Sequence, residues 1–276
     1  MRLATIRTPE ATRAVRIDED AATETGHATV EELLAQDDWR EQAAGATAAR
    51  HDLGGLSYAP VVCRPEKIIC VGLNYRNHIL EMGRELPEHP TLFAKYSRSL
   101  IGAHDDIVLP AVSEAVDWEA ELGVVIGSSI RHGTQSQAAA AIAGYTVVND
   151  ISARDYQNRT LQWLQGKTFE SSTPVGPWLV TTDGESSRTV SHRMTCAVDG
   201  EVLQEADTGD LVFSPVALVS YISSIITLVP GDLIATGTPG GVGHARQPPH
   251  YLKDGSEVIT RIEGIGECRN TCREEK

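Results

Sequence analysis

Two carboxylates stand two residues apart in an otherwise apolar stretch of the chain. The stretch reads VDWEAELGVVIG over residues 116–127 and contains Glu119 and Glu121. Successive side chains of a β-strand point to opposite faces, so this spacing places both carboxylates on the same face. Two like charges that close need a shared proton or a cation between them. The pattern therefore indicates either a cation site or the wet face of an edge strand.

A third carboxylate ends another apolar stretch. Asp150 lies in GYTVVNDISARDYQ, directly after a second strand-like pattern. Acids at the ends of neighbouring strands could supply three oxygen ligands to one hard cation, and Mg²⁺ and Mn²⁺ are usually held by such ligands. No histidine stands at ligand spacing beside them, which makes zinc a poorer fit. Taken alone, Asp150 is also explained as a capping or turn residue after a strand.

A histidine and a glutamate stand three residues apart in VGLNYRNHILEMG. If this segment is a short helix, His78 and Glu81 share one face and can hydrogen bond. A carboxylate beside an imidazole fixes its tautomer and raises its basicity, which suits a general base that takes a proton from water. The alternative is an ordinary solvated helix face. Lys167, in LQGKTFESSTPVGP, is either a loop lysine or a group that stabilises oxyanion charge beside a cation.

The composition argues against several classes of function. The 276 residues carry a formal net charge of −14 without a basic block, which argues against nucleic acid as a partner. No apolar run approaches the roughly 20 residues of a membrane-spanning helix, and the amino terminus lacks a secretory pattern. We therefore expect a cytoplasmic protein without a membrane partner. The cysteines are odd in number, and the Cys268/Cys272 pair could bind metal or crosslink, although incidental thiols are the simpler interpretation.

The elements that must position these residues are mostly strands. Apolar runs predict strands at KIICVGLNY, ELGVVIG, GYTVVNDI and GPWLVTT, and Asp199-Gly200 predicts a hairpin turn. Helices are indicated at TVEELLAQ, over residues 134–143, and after Ser214-Pro215. Regular βαβ alternation is absent, so we expect an α+β fold with large mixed sheets and few helices. The pattern changes near residue 60, which predicts a small N-terminal domain (1–60) and a main domain (61–276).

Six segments together resemble one family. In chain order they are VGLNYRNHILEMG, FAKYSRSLIG, VDWEAELGVVIG, NDISARDYQ, GKTFESSTPVGP and GDLIATGTPGGVG. Their order and spacing are similar to those of the fumarylacetoacetate hydrolase superfamily, in its acylpyruvase and 2-hydroxyhepta-2,4-diene-1,7-dioate isomerase-like branch. The resemblance covers roughly residues 65–265, and six ordered segments are far more specific than any single motif.

The resemblance implies a set of site residues and a cofactor. It implies a β-rich catalytic domain, a homodimer, and Mg²⁺ or Mn²⁺ as the cofactor. The implied metal ligands are Glu119, Glu121 and Asp150; the implied catalytic residues are His78 and Glu81, on a segment that closes over the substrate, and Lys167; the implied substrate-binding residues are Lys95, Arg154, Gln157 and Thr238. Some members have arginine where this chain has Leu73, so one contact to a substrate carboxylate is missing.

The function that the resemblance implies is a metal-dependent hydrolase that cleaves a C–C bond in a 2,4-dioxo acid of the acylpyruvate or fumarylpyruvate type. The same metal would serve an oxaloacetate decarboxylase or a 2-oxo-acid isomerase, and these are the alternatives. The presence of both His78 and Glu81 favours hydrolysis, because only hydrolysis needs an attacking water. A protein that binds small oxo acids without turnover is a further alternative.

Overall fold

Strands dominate the part of the chain that the computed structural model describes, residues 1–81, 83–182 and 191–276. Within these ranges the strands form a twelve-stranded sheet, called the large sheet below, a five-stranded sheet and a two-stranded ribbon. Most neighbouring strands are antiparallel, but three pairs are parallel, so the sheets are mixed. The expected α+β class with large mixed sheets and few helices is confirmed.

The strands are, in chain order, Arg2–Arg7 (β1), Thr12–Ile17 (β2), Ala22–Glu24 (β3), Arg50–His51 (β4), Ser57–Tyr58 (β5), Ile68–Gly72 (β6), Thr91–Lys95 (β7), Leu100–Ile101 (β8), Ile107–Leu109 (β9), Val116–Asp117 (β10), Ala120–Ile126 (β11), Ile142–Asn149 (β12), Ser152–Ala153 (β13), Thr173–Thr181 (β14), Arg193–Val198 (β15), Glu201–Asp207 (β16), Leu233–Ala235 (β17), Glu257–Ile262 (β18) and Gly266–Glu274 (β19). The α-helices are Val30–Leu34 (α1), Trp39–Ala44 (α2), Arg76–Glu81 (α3), Gln135–Ala141 (α4), Arg154–Gln157 (α5), Leu164–Lys167 (α6) and Pro215–Ile225 (α7).

The pairing of β11 with β12 lies at the middle of the large sheet. That sheet has the order β4-β3-β2-β1-β14-β12-β11-β17-β6-β7, with β5 beside β1 and β8 beside β14. The five-stranded sheet has the order β16-β15-β18-β19-β9. In the antiparallel β11/β12 pair, Ala120 stands opposite Asn149, and just beyond it the Asp150 N–H donates to the Glu119 carbonyl oxygen at 2.8 Å. This register brings the predicted acids to one end of the two strands.

The first sixty residues extend the large sheet. Strand β1 pairs with β14, where Leu3 stands opposite Leu179, and β2, β3 and β4 follow outward from β1. Leu33 of α1 and Trp39 of α2 belong to the same buried apolar cluster as Val175 of β14. Hydrogen bonds and a shared core therefore join the two sides of residue 60. The domain boundary at that residue stays a prediction. The homodimer also stays a prediction.

A second apolar cluster joins the large sheet to the five-stranded sheet. It contains Leu122 of β11, Cys196 of β15 and Val258 of β18. Cys268 and Cys272 of β19 belong to this cluster as buried free thiols. Burial raises the pKa of Cys268 far above its usual range and that of Cys272 to about 12, so both thiols stay protonated and unreactive.

The helices begin at the predicted caps. The Ser214 hydroxyl accepts a hydrogen bond from the Ala217 N–H at the start of α7, and Thr134 forms the expected capping box at the start of α4. Helix α4 ends at Ala141, earlier than predicted, because Ile142 already pairs across the sheet as the first residue of β12. None of the helices in the described ranges is long and apolar enough to cross a membrane.

The β12/β14 contact gives a test of this architecture. A Cβ atom at Gly144 would overlap the carbonyl oxygen of Val180 on β14, whereas one at Gly54 would meet nothing within 4 Å. We expect Gly144→Ala to lower the free energy of unfolding by about 1–3 kcal/mol, as overpacking does. Gly54→Ala is the control and should change it little. Equal denaturation midpoints for the two variants in urea would contradict this packing.

Candidate active site

The structure brings together the three residues that the sequence predicts as metal ligands. Glu119 directly precedes β11, Glu121 lies within it, and Asp150 directly follows β12. One oxygen atom from each carboxylate lies within 4.8 Å of the others. The three residues, called the acidic triad below, are 7%, 1% and 0% exposed. They are therefore not the wet face of an edge strand, and their charges must be compensated inside the protein.

Three cationic side chains surround the acidic triad. The Lys167 Nζ atom donates to Glu119 Oε2 at 2.6 Å and to Asp150 Oδ2 at 2.9 Å. Lys95 Nζ donates to Asp150 Oδ1 at 2.6 Å, and Arg154 Nη1 lies 2.6 Å from Glu119 Oε1. Burial alone would raise the pKa of Asp150, but Lys167 and Lys95 outweigh it and hold that pKa below its usual value. Glu119 and Asp150 are thus each paired with two cationic side chains.

Glu121 is the carboxylate that these cations leave uncompensated. Within the described ranges it forms no ion pair, and its Oε2 accepts one hydrogen bond from the Gly237 N–H at 2.7 Å. Burial, followed by the negative charges of Asp150 and Glu119, raises the pKa of Glu121 well above its usual value. The neutral form of Glu121 is therefore favoured over the charged form while no further positive charge lies beside it. An all-oxygen donor set with one carboxylate in need of positive charge fits a hard divalent cation.

Arg154, on α5, is held against this site by an acid that the sequence analysis did not identify. Asp117 Oδ2 accepts from Arg154 Nε at 2.8 Å, and Asp117 also accepts from the backbone N–H groups of Gly243 and His244. Arg154 Nη1 donates to Gln157 Oε1 at 2.9 Å, while Nη2 is buried and has no partner in the described chain. Arg154 therefore keeps one guanidinium donor for another molecule.

A second residue missed by the sequence analysis is Gln204, in β16 of the five-stranded sheet. Its amide nitrogen donates to Thr238 Oγ1 at 2.9 Å, and its amide oxygen accepts from the Ala120 N–H at 2.9 Å. Thr238 Oγ1 in turn donates to the Ala120 carbonyl oxygen at 3.0 Å. This buried network holds the start of β11 and so the positions of the neighbouring acids.

A cavity of about 300 Å³ opens beside the acidic triad. The predicted site residues that line it are His78, Glu119, Arg154, Gln157, Lys167 and Thr238. Lys95 is not among the lining residues, because its ammonium group lies against Asp150. Leu73, with a left-handed φ of 55°, and Arg84 also line the cavity. The cavity thus combines one buried acid with cationic and proton-carrying groups.

His78 and Glu81 both lie on α3, as predicted, but only His78 reaches the cavity beside the triad. His78 lines the cavity beside the triad as well as a neighbouring depression, whereas Glu81 lines only the latter. Both flank Gly240, where a Cβ atom would lie 3.0 Å from His78 Nδ1 and 3.8 Å from Glu81 Oε2. In the described ranges no hydrogen bond joins the two side chains. The expected water-activating pair is therefore near the site without being in contact.

Comparisons with known proteins agree with this fold and site. The fumarylacetoacetate (FAA) hydrolase C-terminal model matches residues 67–273. The mitochondrial oxaloacetate tautomerase Fahd2a of Rattus norvegicus is 44% identical over 212 residues, which are 76% of this chain and 67% of that protein. Fumarylacetoacetate hydrolase from psychrophilic Exiguobacterium antarcticum superposes with a TM-score of 0.89 and 29% identity over 100% of both chains. A probable 2-hydroxyhepta-2,4-diene-1,7-dioate isomerase from Mycobacterium abscessus superposes with a TM-score of 0.84 and 29% identity, again over 100% of both chains.

The chain therefore belongs to the fumarylacetoacetate hydrolase family, as the resemblance of the six segments implied. Within the family its relatives place it in the 2-hydroxyhepta-2,4-diene-1,7-dioate isomerase-like branch. The matched segment contains the whole acidic triad and all the residues that line the cavity. The roles of the individual site residues stay predictions.

Removal of one triad carboxylate gives a direct test of cation binding. Loss of a group that merely supports a metal ligand typically weakens metal binding by about 10- to 100-fold. We expect Glu121→Gln to weaken Mn²⁺ binding by more than this, because a charged ligand itself is lost. Glu201→Gln, an exposed acid on β16, is the control and should bind Mn²⁺ like the parent protein. The free ion is measured by electron paramagnetic resonance. Equal affinities in the two variants would show that the triad does not hold the ion.

The protonation of His78 is a second test. Burial lowers the pKa of His78 below its usual value, while Glu81 and Glu119 partly oppose this effect. We expect its NMR titration midpoint to lie below about 6.5. Glu81→Gln should lower the midpoint further, because it removes a negative charge that favours the imidazolium form. Glu201→Gln should leave the midpoint unchanged. A rise in the Glu81→Gln variant would contradict this electrostatic account.

Proposed function

We propose that this chain is a metal-dependent enzyme that interconverts the enol and keto forms of a small 2-oxo dicarboxylic acid, with oxaloacetate as the candidate substrate. The single observation that carries the choice of reaction is the identity to a relative named oxaloacetate tautomerase. The cavity beside the acidic triad supports the choice of substrate, because about 300 Å³ suits a four-carbon acid. This replaces hydrolysis as the first choice.

The reaction needs one proton carrier and no water. A C–H bond at carbon 3 of the keto acid breaks, an O–H bond forms at the oxygen of carbon 2, and nothing is oxidised or reduced. His78 is suited to carry this proton, because it lines the cavity and its lowered pKa keeps the imidazole neutral near pH 7. A neutral imidazole can take the proton at one position and return it at another.

The remaining residues would place positive charge and hydrogen-bond donors around the 2-oxygen of the substrate. Glu119, Glu121 and Asp150 would hold a Mg²⁺ or Mn²⁺ ion, which when bound supplies positive charge to the carboxylate and 2-oxygen of the substrate. Lys167 holds Glu119 and Asp150 in place through its two hydrogen bonds. The partnerless Nη2 of Arg154 is a donor for a substrate oxygen. Each group is fixed before the substrate arrives, so little reorganisation is needed.

Hydrolysis of an acylpyruvate or fumarylpyruvate is the second candidate. It is favoured by the positions of His78 and Glu81, which lie on the same helix and both approach Gly240, so that a change of side-chain rotamer could bring them into contact. The structural likeness to a fumarylacetoacetate hydrolase also favours it. Hydrolysis differs from tautomerisation in that a C–C bond breaks and pyruvate is released.

The proposal is tested with enol-oxaloacetate and Mg²⁺, by following enol absorbance and pyruvate in the same sample. We expect the protein to accelerate loss of the enol without releasing pyruvate, and chelation of the metal to abolish the effect. His78→Gln should reduce turnover by about 10²- to 10⁴-fold, the usual contribution of a general acid–base group. His89→Gln is the matched control, because His89 is exposed and lies outside the cavity.

Three results would contradict the tautomerase. Pyruvate release from acetylpyruvate, with enol-oxaloacetate unaffected, would establish the hydrolase instead. Pyruvate and carbon dioxide from oxaloacetate would establish a decarboxylase. Tight binding of oxalate, without turnover of any of these acids, would establish a binding protein.

A further inference from the structure

Arg84 is a cationic side chain at the cavity that no other group of the described chain neutralises. It lines the cavity together with His78 and Lys167. Across residues 1–81, 83–182 and 191–276 its guanidinium forms no hydrogen bond and no ion pair. Lys167, in contrast, is already engaged by the acidic triad. The five donors of the Arg84 guanidinium are therefore available to an anion that enters the cavity.

The backbone holds Arg84 close to the end of helix α3. The Gly83 N–H donates to the Leu80 carbonyl oxygen at 2.9 Å, and the Arg84 N–H donates to the Ile79 carbonyl oxygen at 3.2 Å. With Gly83 at a φ of +68°, these two bonds form the Schellman ending of a helix. Arg84 is thus fixed to the same short helix that bears His78.

Arg84 and His78 line the same cavity, and the charge of one acts on the other. Burial is the main cause of the lowered pKa of His78, and the positive charge of Arg84 lowers it further. The proton carrier of the proposed reaction, on α3, and a free cation, three residues after the end of α3, therefore line the same cavity. Leu73, which lines the same cavity, is apolar and offers no charge to an anion.

The charges that line the cavity are suited to a dianion. Arg84, Arg154 and Lys167 are the cations among the lining residues, and Glu119 is the acid. Glu119 is already paired with both Arg154 and Lys167. One substrate carboxylate has its donors at the triad side, where Arg154 Nη2 is free. Arg84 is then the cation left for a second carboxylate.

We infer that Arg84 binds the second carboxylate of the substrate and makes the site selective for dicarboxylic over monocarboxylic 2-oxo acids. The inference rests on the proposed function for the reaction, but the binding selectivity does not depend on turnover. Arginine suits this task because its planar guanidinium meets a carboxylate with two parallel hydrogen bonds.

The test compares malate with lactate, which share a 2-hydroxy carboxylate and differ by the second carboxylate. Titration calorimetry in the presence of Mg²⁺ gives both dissociation constants without turnover. We expect Arg84→Gln to raise that of malate by about tenfold, the scale of one charge-assisted hydrogen bond, and that of lactate by less than about twofold. Arg84→Lys should be intermediate for malate, because lysine keeps the charge without the paired geometry.

Arg76→Gln is the matched control, because Arg76 is an exposed arginine on α3 that does not line the cavity. It should bind both acids like the parent protein. With oxaloacetate as substrate, Arg84→Gln should raise KM and leave kcat within about twofold, since it removes binding rather than proton transfer.

The inference is overturned if Arg84→Gln weakens malate and lactate equally, or weakens neither. A parent protein that shows the expected malate selectivity but never accelerates loss of enol-oxaloacetate would refute the proposed function alone. The two failures are therefore distinguishable in the same set of variants.

Discussion

Three carboxylates buried within a few ångströms of one another are the constraint on which the rest of this site depends. Such a cluster is stable only if positive charge or protons lie among the acids. The protein supplies that charge from separate places: Lys95 ends β7, Arg154 begins α5, and Lys167 ends α6. The sheet order and the two short helices thus share one task, which is to bring these side chains to the end of the β11/β12 pair.

The lysine and arginine side chains around the acidic triad do not compensate all three carboxylates. Lysine and arginine compensate Glu119 and Asp150, yet among the described residues Glu121 has only a backbone N–H for a partner. A fully paired cluster would gain little from a divalent ion, whereas this one has a buried carboxylate left for it to compensate. The site is therefore prepared for a cation without containing enough fixed charge to replace one. Arg154 likewise lacks one partner, since its buried Nη2 atom has none among the described residues.

Local rules were sufficient for much of this fold and site. Two-residue spacing placed Glu119 and Glu121 on one face, and the Asp199-Gly200 turn forms with both residues at positive φ. Contacts between residues distant in sequence could not be predicted, because periodicity gives the face on which a side chain lies and not the residue that packs against it. Asp117 holds Arg154 across 37 positions, and Gln204 meets Ala120 across 84. Helix α4 ended early for the same reason, since strand pairing of Ile142 overrode the helical pattern.

The pairing of β1 with β14 has a consequence for the stability of the segment that the family model matches. The segment that matches the family model begins at residue 67, after β1. A chain shortened to that segment would leave the part of β14 around Leu179 and Val180 without its β1 partner, and an exposed strand edge of this kind favours association with other chains. In this chain the amino-terminal sixty residues therefore shield an edge that the matched segment alone would expose.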